Sequence, residues 1–194
     1  EEFQNTAGSS GLTWVIDPID GTRGFVAGTP TWGVLISVTD PTGPIYGVID
    51  QPYTGERWEG GLGHARFVGP KGERDLATRD TGALSDAILF STFPEVGSPV
   101  EQTAFQDLAG QVRLTRYGTD CYAYGLLALG HIDLVVEAGL QAYDICAPIA
   151  VIEAAGGIVT DWSGGSAAGG GRVLAAGNRA LHAKAMEGLG AVVG

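Results

Sequence analysis

Two aspartates three residues apart, Asp17 and Asp20, enclose Pro18 and Ile19 and lead directly into Gly21 and Thr22. Carboxylates at this spacing can share or flank a hard cation, which takes oxygen ligands. Pro18 fixes its own φ, removes a donor and pushes Asp17 into an extended conformation, so the pair is expected on a stiffened turn. Gly21 and Thr22 offer backbone N–H groups and a hydroxyl to an anion. An Asp-Pro turn alone is ordinary turn chemistry, but the stretch Trp14 to Phe25, WVIDPIDGTRGF, joins cation ligands to an anion cradle. A metal site needs more than two carboxylates. Asp144, in AYDICAPIAVIEAAGG, is a third candidate, with a helix N-cap as its alternative. Glu1 and Glu2 lie upstream, where a solvated charged end is the default reading. With three His and two Cys in the chain, hard oxygen ligands and Mg²⁺ fit better than zinc or copper.

The elements that must position these residues divide in character. Gln4 to Gly11 read as a polar loop, and Trp14-Val15-Ile16 as the end of a buried strand. Trp32 to Val38 and Ile45 to Ile49 form a hairpin across the five-residue turn stretch Asp40 to Pro44. Glu56 to Glu59 and Ala65 to Val68 continue the meander. After a strand at Ala87 to Ser91, strands and helices alternate: helix Val100 to Gln111, strand Val112 to Arg116, helix Cys121 to Leu129, strand Ile132 to Glu137 and helix Tyr143 to Ala155. Strands Ile158 to Trp162 and Val173 to Ala176 follow, and Asn178 caps a last helix through Leu189. A sheet-rich lobe over residues 1–85 and an alternating α/β lobe over 86–194 are expected, together forming one unit.

The chain has 194 residues, 44% hydrophobic, with a formal net charge of −11. That balance points to a globular protein with ample length for a core and disfavours nucleic-acid binding, which needs basic patches. It also opposes an anionic substrate unless divalent cations reverse the field locally. No apolar run is long enough to span a bilayer. Cys121 and Cys146 make no disulfide framework and read as reduced, buried thiols of a cytoplasmic protein.

Taken together, DPIDGT, the acidic pair before it and the late YDICAPIAVIEAAGGIVTDWSGG resemble the signature of the inositol monophosphatase superfamily, which comprises magnesium-dependent, lithium-sensitive phosphatases of small molecules. The later signature usually opens with Trp-Asp, where this chain has Tyr143-Asp144. GERW at Gly55 to Trp58, the run RYGTDCYAYGLLALGHIDLVVEAGL and the Tyr-Asp variant are similar to the histidinol-phosphate phosphatase branch. The resemblance implies a layered α-β-α-β-α sandwich of the inositol monophosphatase / fructose-1,6-bisphosphatase type, usually a homodimer, here without its N-terminal helices. Loss of those helices would leave apolar surface exposed.

Carried over by position, the resemblance implies that Glu1 binds the activating metal and Glu2 lies behind it. Asp17 would bridge two ions, the Ile19 carbonyl would complete the first, and Asp20 with Asp144 would hold the second, for two or three Mg²⁺ in all. Asp20, Gly21 and Thr22 would bind phosphate, and Thr22 would also orient the attacking water. In the family that hydroxyl pairs with an acidic residue upstream of Glu1, a segment this sequence lacks. Gly118, Thr119, Asp120, Glu137 and Asp144 would face the substrate. Asp120 suits a cationic amine as well as a helix N-cap, and Arg23 suits the phosphate, a partner subunit or a surface salt bridge. The expected reaction is hydrolysis of L-histidinol phosphate in histidine biosynthesis. The alternatives are inositol or another sugar phosphate, a sulfur-containing nucleotide, or a binding or regulatory role without turnover.

Overall fold

The computed structural model describes residues 9–192. Strands β1 (Thr13–Asp20), β2 (Gly33–Asp40), β3 (Gly43–Gln51), β4 (Glu56–Gly61), β5 (His64–Gly69) and β6 (Gly72–Asp75) form an antiparallel meander in sequence order. The hairpin between β2 and β3 is tighter than the turn chemistry suggested. Asp40 pairs directly with Gly43, because the Asp40 carboxylate accepts the Thr42 N–H at 2.7 Å and closes the turn on itself. A second sheet has the order β10-β11-β9-β7-β8, built from β7 (Ile88–Ser91), β8 (Leu114–Tyr117), β9 (Leu134–Leu140), β10 (Ile158–Thr160) and β11 (Gly171–Ala176). Here β7 runs parallel to both β8 and β9, while β10 and β11 are antiparallel.

Helices α3 (Cys121–Ala128) and α4 (Ala142–Ala154) lie between the sheets. Helices α2 (Pro99–Ala109) and α5 (Arg179–Leu189) cover the far face of the second sheet. Alternation along β9 makes this double coverage visible: Val135 joins the core between the sheets, whereas Leu134 and Val136 join the core under α2 and α5. Local chemistry supports the helices. Ser98 and Glu101 form a reciprocal capping box with Pro99 in the first turn of α2, and the Asn178 side chain accepts the Leu181 N–H at 2.8 Å to start α5. The described layers therefore run sheet, helices, sheet, helices. A short helix α1 (Thr22–Ala27), which the sequence reading did not anticipate, follows β1.

The first sheet sits close to α4 because its strands carry glycine where the helix crosses. A Cβ on Gly47 would stand 2.3 Å from the Ala147 carbonyl oxygen, and one on Gly60 would stand 2.4 Å from the Val151 Cα. Leu35, Ile49 and Trp58 fill the space beside them, each with no exposed surface.

The reading of Trp14-Val15-Ile16 as buried needs correction. Trp14 is 66% and Ile16 49% exposed. These two side chains alternate away from Val15 and Asp17, onto the face of the sheet opposite α4, where no described element lies over this edge strand. Apolar character is there, but the packing partner is not among the described residues. Both cysteines are free and buried. No helix among the described residues is long and apolar enough to cross a membrane.

Candidate metal and phosphate site

In a regular strand, residues three apart point to opposite faces. Asp17 and Asp20 would then diverge. Instead, Asp17 pairs with Leu35 and Asp20 with Gly33, so β1 uses one more residue than β2 over the same span. This bulge turns both carboxylates towards one side. Pro18 sits inside it, where a missing N–H costs no ladder bond. The expected stiffened turn is thus a bulged strand. The Ile19 N–H donates to Asp17 Oδ1 at 3.0 Å and fixes that side chain within the bulge.

Asp144 arrives from α4. It is not the N-cap: Gln141 is, and Asp144 occupies the third helical position, accepting the Gln141 N–H through Oδ2 at 2.7 Å. One oxygen from each of Asp17, Asp20 and Asp144 lies within 4.8 Å of the others. The Asp17 and Asp144 carboxyls interact, and that interaction works against the burial that raises Asp144. Burial pushes the Asp20 carboxyl up to about 7, and the charges of Asp120 and Asp144 add to the shift against the Cys121 N–H, which donates to Asp20 Oδ1 at 2.8 Å. Burial raises Asp144 as well. Three crowded carboxylates with no nitrogen or sulfur ligand among them fit a hard divalent cation, whose charge would remove the need for those protons.

The bulge opens onto a cleft of about 270 Å³. Gly21, Thr22 and Arg23 line it beside Asp20 and Asp144. Gly21 has φ +77°, and a Cβ there would meet the Asp120 carboxylate at 2.9 Å, so both conformation and space call for glycine. Thr22 opens α1.

Asp120 and Glu137 reach the same cleft. Asp120 occupies the N-cap position of α3 but makes no capping hydrogen bond, and its backbone lies at φ +45°, ψ −136°, a region unusual for any residue but glycine. Its carboxyl is raised by burial and lowered by the charge of Arg23. Glu137 is 8% exposed. The Thr92 N–H and hydroxyl donate to one of its oxygens at 2.6 and 2.8 Å, yet burial dominates and raises its pKa to about 7.

Other expected residues fall elsewhere. Gly118 and Thr119 do not line the cleft. The Gly118 N–H donates to the Ser91 carbonyl at 3.2 Å, and the Thr119 hydroxyl is buried without a partner among the described residues. Glu1 and Glu2 lie outside the described residues.

The sequence reading missed Thr92 and Phe93, which follow β7 and line the cleft. Tyr124, only 3% exposed, also borders the cleft. The Phe93 ring carries the Arg23 guanidinium at 4.8 Å from its centroid. Their signal emerges only with the strand directions, since ligands gather at the carboxyl ends of parallel strands and Thr92 directly follows one.

A family model described as the inositol monophosphatase family matches residues 1–193. A chloroplastic bifunctional phosphatase of Arabidopsis thaliana, IMPL2, is 43% identical over 93% of this chain. The chain spans 54% of that relative. A histidinol-phosphatase of Mycobacterium tuberculosis is 33% identical, with 98% of this chain and 74% of the relative covered. Among solved structures, an inositol monophosphatase from Zymomonas mobilis superposes with a TM-score of 0.87 at 38% identity, covering 94% of this chain and 72% of that one. The bulged acidic strand, the helix-borne third carboxylate and these likenesses agree: the chain belongs to the inositol monophosphatase family.

Proposed function

We propose that this chain is a Mg²⁺-dependent phosphomonoesterase whose substrate is L-histidinol phosphate. The observation that carries the reading is the convergence of Asp17, Asp20 and Asp144 at a cleft bordered by Gly21 and Thr22. Glu1, Asp17 and the Ile19 carbonyl would hold one cation, and Asp17, Asp20 and Asp144 a second, as the family resemblance implies. When bound, the ions would supply an acidified water as nucleophile and charge neutralisation for the phosphate and the leaving oxygen. The Gly21 and Thr22 N–H groups and the Thr22 hydroxyl would hold the phosphate so that water attacks phosphorus in line with the leaving group. The phosphorus–oxygen ester bond breaks, and phosphate and L-histidinol leave.

The choice of substrate rests on the rest of the cleft. Asp120 leaves its cap unmade and keeps a carboxylate in the cleft, and Glu137 adds a second acceptor. Together they suit a cationic amine and an imidazole N–H, with Phe93 as a flat wall. The histidinol-phosphatase name of the mycobacterial relative supports the same reading. Inositol phosphate is the rival, favoured by the name of the Zymomonas mobilis structure and by the capacity of Glu137 to accept from hydroxyls.

Initial rates on both esters at saturating Mg²⁺ decide between them. Turnover of inositol 1-phosphate without turnover of histidinol phosphate would overturn the substrate assignment. Asp17→Asn should abolish Mg²⁺-dependent hydrolysis of either ester while the protein stays folded by circular dichroism. Hydrolysis retained in that variant would remove Asp17 from the cation site.

A further inference from the structure

A second cavity, of about 650 Å³, opens between the β5–β6 hairpin and α3, away from the acidic cluster. That volume is in the range of small-molecule pockets. Its floor is apolar and flat, formed by Phe67, Tyr122, Leu126 and Leu129, all half-buried. Its mouth carries Lys71, Arg74 and His131. The Arg74 guanidinium lies 5.5 Å from the Phe67 ring centroid, and its Nη2 donates to His131 Nε2 at 3.2 Å. A guanidinium cannot accept, so His131 presents a bare Nε2 to Arg74 and keeps its proton on Nδ1.

The charge balance of this cavity runs against that of the chain, which has 22 acidic and 11 basic residues. Two acidic residues line it, and both are engaged. Glu73 pairs with Arg66 at 3.5 Å, and Glu56 accepts the Tyr122 hydroxyl at 2.8 Å and the Thr54 hydroxyl at 2.7 Å. Among the described residues, neither Lys71 nor Arg74 is in an ion pair. Behind the wall, two buried donors lack acceptors: Gln51 Nε2 and Trp58 Nε1. Gln51 is tied to the wall through the Thr54 N–H at 2.9 Å, and the Trp58 ring packs against Phe67 and Tyr122 at 5.2 and 5.4 Å. At the mouth itself, the Lys71 and Arg74 donors and the aromatic floor outnumber free acceptors.

We propose that this cavity is a second ligand site, for a flat organic anion of the aromatic carboxylate class. The ring lies on Phe67 and Leu126, and the carboxylate meets Arg74 and Lys71, which a bidentate guanidinium suits. The site backs onto the start of α3. Tyr122 in its floor adjoins Cys121, whose N–H holds Asp20, so a ligand here touches the helix turn that supports the acidic cluster.

The test uses 2-naphthoate, titrated into the ¹⁵N-labelled chain and followed by amide chemical shifts. Saturable shifts over Gly69 to Arg74 and Leu126 to His131 are expected. Lys71→Gln/Arg74→Gln should weaken binding at least fivefold while the melting temperature stays within about 2 °C, as for exposed substitutions. Phe67→Leu should weaken it independently. Shifts centred on Gly21 and Thr22, or on Trp14 and Ile16, would overturn the proposal. So would unchanged affinity in the double variant, or no binding up to the solubility limit.

Discussion

Replacing Asp120 with glycine separates what its backbone costs from what its carboxylate does. At φ +45°, ψ −136°, this residue sits in a sparsely populated region, which costs about 1–3 kcal/mol for a side chain with a Cβ. Glycine removes that cost but raises the entropy of the unfolded chain, a loss of about 0.5–1 kcal/mol. The attraction between Asp120 and Arg23 also disappears, and a partly solvated pair of this kind contributes less than about 1 kcal/mol. Removal of a carboxyl group that burial already disfavours works in the stabilising direction. The sum favours Asp120→Gly by about 1 kcal/mol, a rise of roughly 2–4 °C in melting temperature for a chain of this size. Urea denaturation with an unchanged slope is the assay. In the same variant, KM for histidinol phosphate should rise about tenfold, the equivalent of 1.4 kcal/mol of lost ion pairing, while hydrolysis of inositol 1-phosphate changes little. A loss of 1 kcal/mol or more in stability would show that the carboxylate holds the fold, and the strain argument would fail.

Three further outcomes follow from the same geometry. The carboxyls of Asp20 and Glu137, ordinarily at 3.8 and 4.5, are each raised to about 7, so between pH 4 and 7 the folded chain binds protons that the unfolded chain has released. Metal-free protein should therefore melt at a higher temperature near pH 5 than near pH 8. Excess Mg²⁺ should narrow or reverse the difference by stabilising most at the higher pH, and an equal Mg²⁺ effect at both would refute the linkage. Asp133 has no exposed surface, pairs with Arg79 and accepts the Ile88 N–H at 2.7 Å. Asp133→Ala should cost about 3 kcal/mol in urea unfolding, because it leaves both donors without an acceptor. Phe93→Leu keeps an apolar wall but removes the ring under Arg23, so KM for histidinol phosphate should rise about fivefold with kcat little changed, and inositol 1-phosphate should be indifferent to it.

Much of this site could be read from residue types, because carboxylates, glycine and threonine in DPIDGT have few other uses in combination. The position of α4 and its Asp144 followed from apolar periodicity bounded by Gly156-Gly157. The bulge did not show in the sequence: Pro18 announces a break in the ladder, but only the pairing with β2 reveals that one extra residue brings Asp17 and Asp20 to the same side. Trp14 and Ile16 misled because hydrophobicity reports a preference for burial and not the presence of a partner. Asp120 was ambiguous between cap and ligand, since both uses need a short carboxylate before a helix. The missing hydrogen bond, a feature of three-dimensional geometry, speaks against the cap. Thr92 and Phe93 were invisible for a different reason: their role depends on β7 running parallel to β8 and β9, and strand direction is not encoded in local composition.

The two glycines under α4 give the cation site a mechanical origin. Gly47 and Gly60 set how near the helix rides to the first sheet, and that clearance fixes how far Asp144 stands from Asp17 and Asp20. Hard cations such as Mg²⁺ tolerate only a narrow spread of ligand distances. Under the proposed function, metal affinity would thus be tuned from beneath, by shims that carry no charge and touch no ion. A single methyl group placed there would act as a wedge, prising the carboxylates apart while leaving every one of them in the sequence.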